Sequence, residues 1–207
     1  NDLGQGEQTV VMLHGSGPGA TGWANFNRNI EPLTQAGYRV LLIDCPGWGK
    51  SDSIVNSGSR SDLNARVVKS IIDQLGIAKI HMLGNSMGGH IAGMYAARHP
   101  EQILSVTLLN NAGIISPIIA DAWQATAAGE PNPLIMRSAE DVDRFFDYVM
   151  EEQPFMTDSI KQYFAQRSMA RQAMNDRIFS FLRDDNFEDL SLELPKITAP
   201  VQIIWGD

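Results

Sequence analysis

The sequence holds one cysteine in 207 residues, Cys45, with no Cys-x-x-Cys pair and no Cys/His cluster. A lone thiol closes no internal disulfide and, without partner ligands, builds no structural zinc site. Basic residues are also scarce: 16 Lys+Arg stand against 24 Asp+Glu, a formal net charge of -8. That balance leaves no surface to neutralise a phosphate backbone, so nucleic acid is excluded as a partner. No apolar run approaches the ~18 to 20 residues needed to cross a bilayer, and no charged segment followed by an apolar one opens the chain. These absences predict a cytoplasmic protein with no membrane partner and no metal. What remains is ordinary globular material, 43% hydrophobic and 8% aromatic, enough to bury a core.

Short β-rich runs recur at Thr9 to Leu13, Tyr38 to Ile43, Lys79 to Leu83, Leu104 to Leu109 and Val201 to Trp205, each bounded by Gly, Pro, Asn or Asp. Helical spacing separates several of them. Asp62 to Leu75 puts Leu63, Val67, Val68, Ile71, Ile72 and Leu75 on one stripe, and Met87 to Arg98 is small and apolar enough for a buried helix. The alternation predicts an α/β fold, a mostly parallel sheet with helices on both faces. From Ile115 to about Pro195 the strand signal stops. Ala139 to Met150 and Asp158 to Arg183 read as amphipathic helices, Gly129 to Pro133 as a turn, and Ser57 to Asp62 as an exposed loop. The expected organisation is a core at 1–114, a helical lid at 115–195, and a second piece of core at 196–207. Because the chain starts at Asn1 and stops just after an apolar run that reads as a buried strand, it is expected to be truncated at both ends.

Chemistry concentrates in three glycine-rich turns. Gly84-Asn85-Ser86-Met87-Gly88-Gly89 follows one strand and opens a helix, the context in which G-x-S-x-G exposes a nucleophilic serine on a sharp turn. The helix N-terminus behind Ser86 favours developing negative charge. His14-Gly15-Ser16-Gly17-Pro18-Gly19 follows the first strand, and the Ser16 N–H is expected to join that of Met87 as an oxyanion hole. Asp44 to Ser51 ends in Gly-Lys-Ser like a phosphate-binding loop, yet Asp44 stands where the first glycine belongs, and Asn56-Ser57-Gly58-Ser59 precedes any helical periodicity. Nucleotide binding is therefore not expected. Since the charge stabilisation comes from backbone amides, no cofactor is implied.

In this order and spacing the three motifs resemble the α/β-hydrolase fold. The stretch from about Gln5 to His90 resembles the meta-cleavage-product hydrolases, which hydrolyse a carbon-carbon bond in 2-hydroxy-6-oxo-dienoates; Gly17-Pro18-Gly19-Ala20-x-Gly22-Trp23-x-Asn25 and Gly84 to Gly89 carry most of the likeness. The resemblance implies Ser86 as nucleophile, Ser16 and Met87 as oxyanion donors, and Asn25, Asn85 and Arg167 as contacts for the dienoate end. It also implies a catalytic Asp in a Trp-Gly-x-x-Asp pattern after the strand ending at Trp205, and a catalytic His further on. Both fall beyond Asp207. The four histidines, His14, His81, His90 and His99, are each expected to be structural. Homo-oligomers are common in the resembled family. From Tyr95 onward the chain resembles lipases and carboxylesterases of the same fold at least as much, so a carboxylesterase or lipase acting on an ester is the alternative. Outside enzymes, a non-catalytic hydrolase-fold binding protein is the competing reading.

Overall fold

The structure, a computed structural model, describes residues 1–17, 19–53, 59–181 and 188–206. Pro18 of the glycine-rich loop, Asn56 to Gly58, Arg183 and Asp207 lie outside the described residues. A six-stranded sheet has the order β1-β3-β2-β4-β5-β6. Its strands are β1 (Asp2–Leu3), β2 (Gln8–Leu13), β3 (Tyr38–Ile43), β4 (Ile80–Asn85), β5 (Ile103–Leu109) and β6 (Val201–Ile204). All pairings are parallel except that of β1, which runs antiparallel to β3. Thr9 to Leu13 are buried without alternation, as expected of a central strand covered on both faces. From β2 the chain goes to β3 on one side and then crosses to β4 on the other, so β2 lies at the point where strand order reverses. Loops at the carboxyl ends of strands beside such a point face a ready-made crevice.

Helix α1 (Gly22–Gln35) has no counterpart in the hydrophobic periodicity of the sequence. Pro32 lies inside it, removing one helical hydrogen bond. The helix forms nonetheless because Thr21 Oγ1 accepts the Ala24 N–H at 2.9 Å and Phe26 is buried against Val10, Met12, Val40 and Leu42. Helix α2 (Arg60–Gln74) begins within the expected exposed loop Ser57 to Asp62: Ser59 Oγ accepts the Asp62 N–H, and Ser61 is buried. Helix α3 (Met87–Arg98) packs on β2, β4 and β5 and is buried continuously from Gly88 to Ala97. Strand β6 corrects another expectation. Val201 and Ile203 are 44% and 61% exposed, because the strand ends the sheet order with β5 as its single neighbour among the described residues.

The described residues fall into two compact units, one of 1–16, 20–53, 59–114 and 188–206 and one of 17, 19 and 115–181. The second is helical, with α4 (Pro117–Ala127), α5 (Ala139–Val149), α6 (Asp158–Met169) and α7 (Gln172–Phe181). Gly129, at φ 105°, stops α4, and the Glu130 N–H bonds back to Ala125 O. A reciprocal Ser138/Asp141 box starts α5. The single helix expected from Asp158 to Arg183 is broken into α6 and α7. Asn175 Nδ2 donates to Ser168 O at 3.2 Å, supplying an end carbonyl of α6 with a partner from the next helix. Met136, Val142 and Ala165 form this unit's core with Phe145, Phe146, Met156 and Phe164 packed around it.

Candidate active site

Ser86 sits between the last residue of β4 and the first of α3 at φ 53°, ψ -115°. A serine held at positive φ is strained by roughly 1–3 kcal/mol. Four backbone hydrogen bonds impose it: the Ser86 N–H donates to Leu109 O at 3.0 Å, and Ser86 O accepts from Gly89, His90 and Ala112. The turn is tight enough that a methyl group on Gly84 would lie 2.0 Å from Gly88 O, and one on Gly88 the same distance from Leu13 O. Glycine at these two positions lets β4, α3 and β2 meet behind the serine. The Ser86 side chain makes no capping bond to its own helix. Its hydroxyl stands at the positive end of a twelve-residue helix with no hydrogen-bond partner among the described residues.

The loop after β2 reaches the same place. Leu13 pairs with Gly84 in the sheet, and a methyl group on Gly15 would lie 3.3 Å from both Ser86 Cβ and Asn85 Nδ2. The structure thus brings together Ser16, Asn85, Ser86 and Met87, each half-buried, at the carboxyl ends of adjacent strands. Asn25 belongs to the same unit, and its Oδ1 accepts the Gly15 N–H at 2.9 Å. Sequence reasoning missed that contact, since nothing local in α1 signals it. Arg167 lies in the second unit, on α6, with its guanidinium 6.0 Å from the centre of the Tyr163 ring. The glycines that follow Ser16 belong to that unit too, and a methyl group on Gly19 would lie 3.9 Å from Arg167 Nε.

Among the described residues no histidine side chain bonds the Ser86 hydroxyl. His81 contacts Ser105 and Gln8 at the far end of the sheet. His99 lies edge-on to Tyr95. His90, one turn into α3, has its Nδ1 2.9 Å from Ser61 Oγ and is held down to a pKa of about 4, chiefly by burial. His14 is fully buried between Gly15 and Cys45. The Asp44 to Ser51 turn cannot act as a phosphate loop. No helix opens at Lys50, and Asp44 Oδ1 points instead at the Gly22 N–H, 2.8 Å away. Cys45 is buried, and desolvation pushes its thiol up to about 12, so it is no nucleophile. Among the described residues there is no group of three or more His, Cys, Asp or Glu side chains placed to hold a metal ion. No helix among them is long and apolar enough to cross a membrane.

Comparison with known proteins bears on this arrangement. The sequence profile of the alpha/beta hydrolase fold matches residues 8–207. Curated relatives named 2-hydroxy-6-oxononadienedioate/2-hydroxy-6-oxononatrienedioate hydrolase, from Klebsiella pneumoniae and Escherichia coli K12, are 44% identical over the whole chain, which covers 72% of each. Among solved structures, a bacterial membrane phospholipase A superposes with a TM-score of 0.82 at 38% identity, the chain spanning 65% of its length. A meta-cleavage product hydrolase from Pseudomonas fluorescens superposes with a TM-score of 0.79 at 26% identity, with 100% of this chain and 74% of that one covered.

Proposed function

The chain belongs to the α/β-hydrolase fold family, and from that premise we propose that it is a serine-dependent hydrolase of the carbon-carbon bond in 2-hydroxy-6-oxo-dienoate ring-cleavage products. The observation that carries the reading is the strained Ser86, held against Gly15 at the start of α3. The substrate class follows from the relatives at 44% identity, whose names specify such dienoates.

In this reading the dienol is first ketonised, which makes C5 a saturated carbon and C6 an isolated ketone. Ser86, or a water it orients, then adds to C6. The resulting oxyanion is received by the Ser16 and Met87 N–H groups at the end of the α3 dipole, an arrangement that stabilises charge only as it develops. The C5–C6 bond breaks with its electron pair passing through C3 and C4 to the 2-oxo oxygen, which takes a proton to give a dienol; where Ser86 made the bond to C6, water then hydrolyses the acyl-serine ester, freeing the hydroxyl and a carboxylic acid, and where water made it the acid leaves directly. The resemblance gives Asn25, Asn85 and Arg167 the role of holding the dienoate end of the substrate, and the helical second unit that of a lid. Ser86 needs a base, and the resemblance assigns that role to a histidine further along the family's sequence than the strand ending at Trp205. The enzyme works in the cytoplasm on a small molecule, without nucleic acid.

The test is loss of absorbance of a coloured dienoate by the natural protein, with and without Ser86→Ala. Turnover abolished by the substitution supports the proposal. Rapid p-nitrophenyl ester cleavage without dienoate decay replaces it with a carboxylesterase or lipase reading. That second reading draws on the 38% identity to a phospholipase and on the Met and Phe side chains packed in the second unit.

A further inference from the structure

The oxyanion loop must hold its amides still, and nothing in a glycine-rich segment does so by itself. The elements around it supply the restraint. His14 is wholly buried, with Nδ1 2.7 Å from Gly15 O and Nε2 3.0 Å from the Cys45 nitrogen. The two partners fix the tautomer. A carbonyl oxygen only accepts and an amide N–H only donates, so the proton is on Nδ1 and the lone pair on Nε2. The preceding peptide group is held as well, because the Gly15 N–H donates to Asn25 Oδ1 at 2.9 Å. Asn25 is in turn oriented by a helix whose first amide, Gly22, is taken by Asp44 Oδ1 at 2.8 Å.

Both restraints trace back to one turn. Asp44 and Cys45 are neighbours, at the end of β3 and the start of the Gly-Lys-Ser segment that resembles a phosphate loop without being one. Trp48 from that turn meets the His14 ring edge-on at 5.8 Å between centroids, and the Arg60 guanidinium lies 5.4 Å from the centre of the same indole while donating to Pro46 O. Trp48 is 3% exposed and Cys45 not at all, so the stack is dry and its hydrogen bonds are worth more than at the surface.

We infer that His14 is a positioning residue for the oxyanion loop: as the neutral Nδ1–H tautomer it bridges Gly15 O to the Cys45 N–H and so fixes the peptide that leads into Ser16. The Asp44 to Trp48 turn is the anchor of that loop. The inference rests on the assignment of Ser86 as nucleophile and of Ser16 as an oxyanion donor.

Two substitutions in the natural protein test it. His14→Phe keeps a ring of similar size but neither hydrogen bond. His14→Gln offers an N–H and a carbonyl oxygen, the same pair of functions. Readouts are kcat and KM on the substrate turned over, the affinity of an alkyl boronic acid, which forms a tetrahedral anionic adduct on the serine, and the unfolding midpoint. His14→Phe is expected to lower kcat by about 10- to 100-fold with KM changed less than about threefold, and to weaken the boronate by a similar factor. His14→Gln is expected to recover kcat to within about fivefold. A folded His14→Phe with unaltered kcat and boronate affinity overturns the inference. If His14→Phe does not fold, His14→Gln decides: recovery upholds the clamp, and a folded His14→Gln more than about 30-fold down in kcat refutes it. Ser86→Ala run alongside separates the two levels. If Ser86→Ala stays active the nucleophile assignment fails, whereas an inactive Ser86→Ala beside an unimpaired His14→Phe removes only the positioning role.

Discussion

Replacing Ser86 by glycine should stabilise the protein while abolishing its turnover, and the comparison with Ser86→Ala isolates why. At φ 53°, ψ -115° an L-residue pays a steric penalty that glycine escapes, about 2 kcal/mol as a central value. Against this, glycine frees the unfolded chain by about 0.7 kcal/mol relative to alanine. The net expectation is that Ser86→Gly is more stable than Ser86→Ala by about 1 kcal/mol. The serine hydroxyl caps nothing, so Ser86→Ala should lie close to wild type. The backbone cannot relax out of the strain in either variant, because Leu109, Ala112 and His90 hold the peptide groups on both sides of the residue. For a chain of this size 1 kcal/mol corresponds to a midpoint shift of about 3 °C, resolvable by calorimetry and by urea titration. Both variants should be catalytically dead. A glycine variant no more stable than the alanine one would mean that the turn carries no strain, and the argument from conformation to nucleophile would lose its footing.

Three other expectations are sharp enough to check. Acid should weaken the fold through His90: its folded pKa, about 4, lies below the unfolded value of 6.5, so the unfolded chain binds the proton more tightly and stability is lost as pH falls from 6.5 towards 4. The loss by pH 5 is on the order of 2 kcal/mol, His81 and His99 add smaller effects of the same sign, and His90→Gln should show a shallower decline in urea midpoint between pH 7 and pH 5. Gly88→Ala should prevent native folding, since its methyl group would lie 2.0 Å from the Leu13 carbonyl oxygen and only backbone could move; a soluble, active Gly88→Ala protein would contradict the packing. Arg167→Gln should raise KM for the dienoate by about tenfold or more while leaving KM for an uncharged p-nitrophenyl ester within about threefold; equal effects on both would assign Arg167 to packing.

The parts of this fold that the sequence makes legible are those whose determinants are local. Strands β2 to β5 declare themselves as short aliphatic runs between turn residues. The elbow declares itself because Gly84 and Gly88 are needed within four residues of each other by the same close approach. Helix α1 is hidden by Pro32 and by the asparagines at 25, 27 and 29, weak helix formers all, and is decided by the burial of Phe26 in a sheet whose other strand arrives later in the chain. The break between α6 and α7 depends on one amide, Asn175, reaching a carbonyl seven residues back. Strand β1 exists through its pairing with Val40 and Leu41 and the Asp2–Arg39 ion pair, neither visible in the two residues that form it.

The candidate site divides along the same line. Ser86, Ser16 and Met87 are readable because a sharp strand-to-helix turn and a glycine-rich loop are properties of contiguous segments. What holds those amides is not contiguous. The restraint on Gly15 comes from Asn25, ten residues on, and from Cys45, thirty-one residues from the histidine it meets. Asn25 is the instructive residue, for the resemblance marks it as a substrate contact while its Oδ1 is engaged by the Gly15 N–H. A side-chain amide has separate donor and acceptor ends, so the Nδ2 group can still address a carboxylate while Oδ1 restrains the loop. The two roles can be told apart, since Asn25→Asp preserves the acceptor for Gly15 but removes the donor. Such a variant should keep its turnover of a neutral ester and lose affinity for the dienoate; if it loses ester turnover as well, Asn25 acts on the loop through more than the oxygen seen at 2.9 Å.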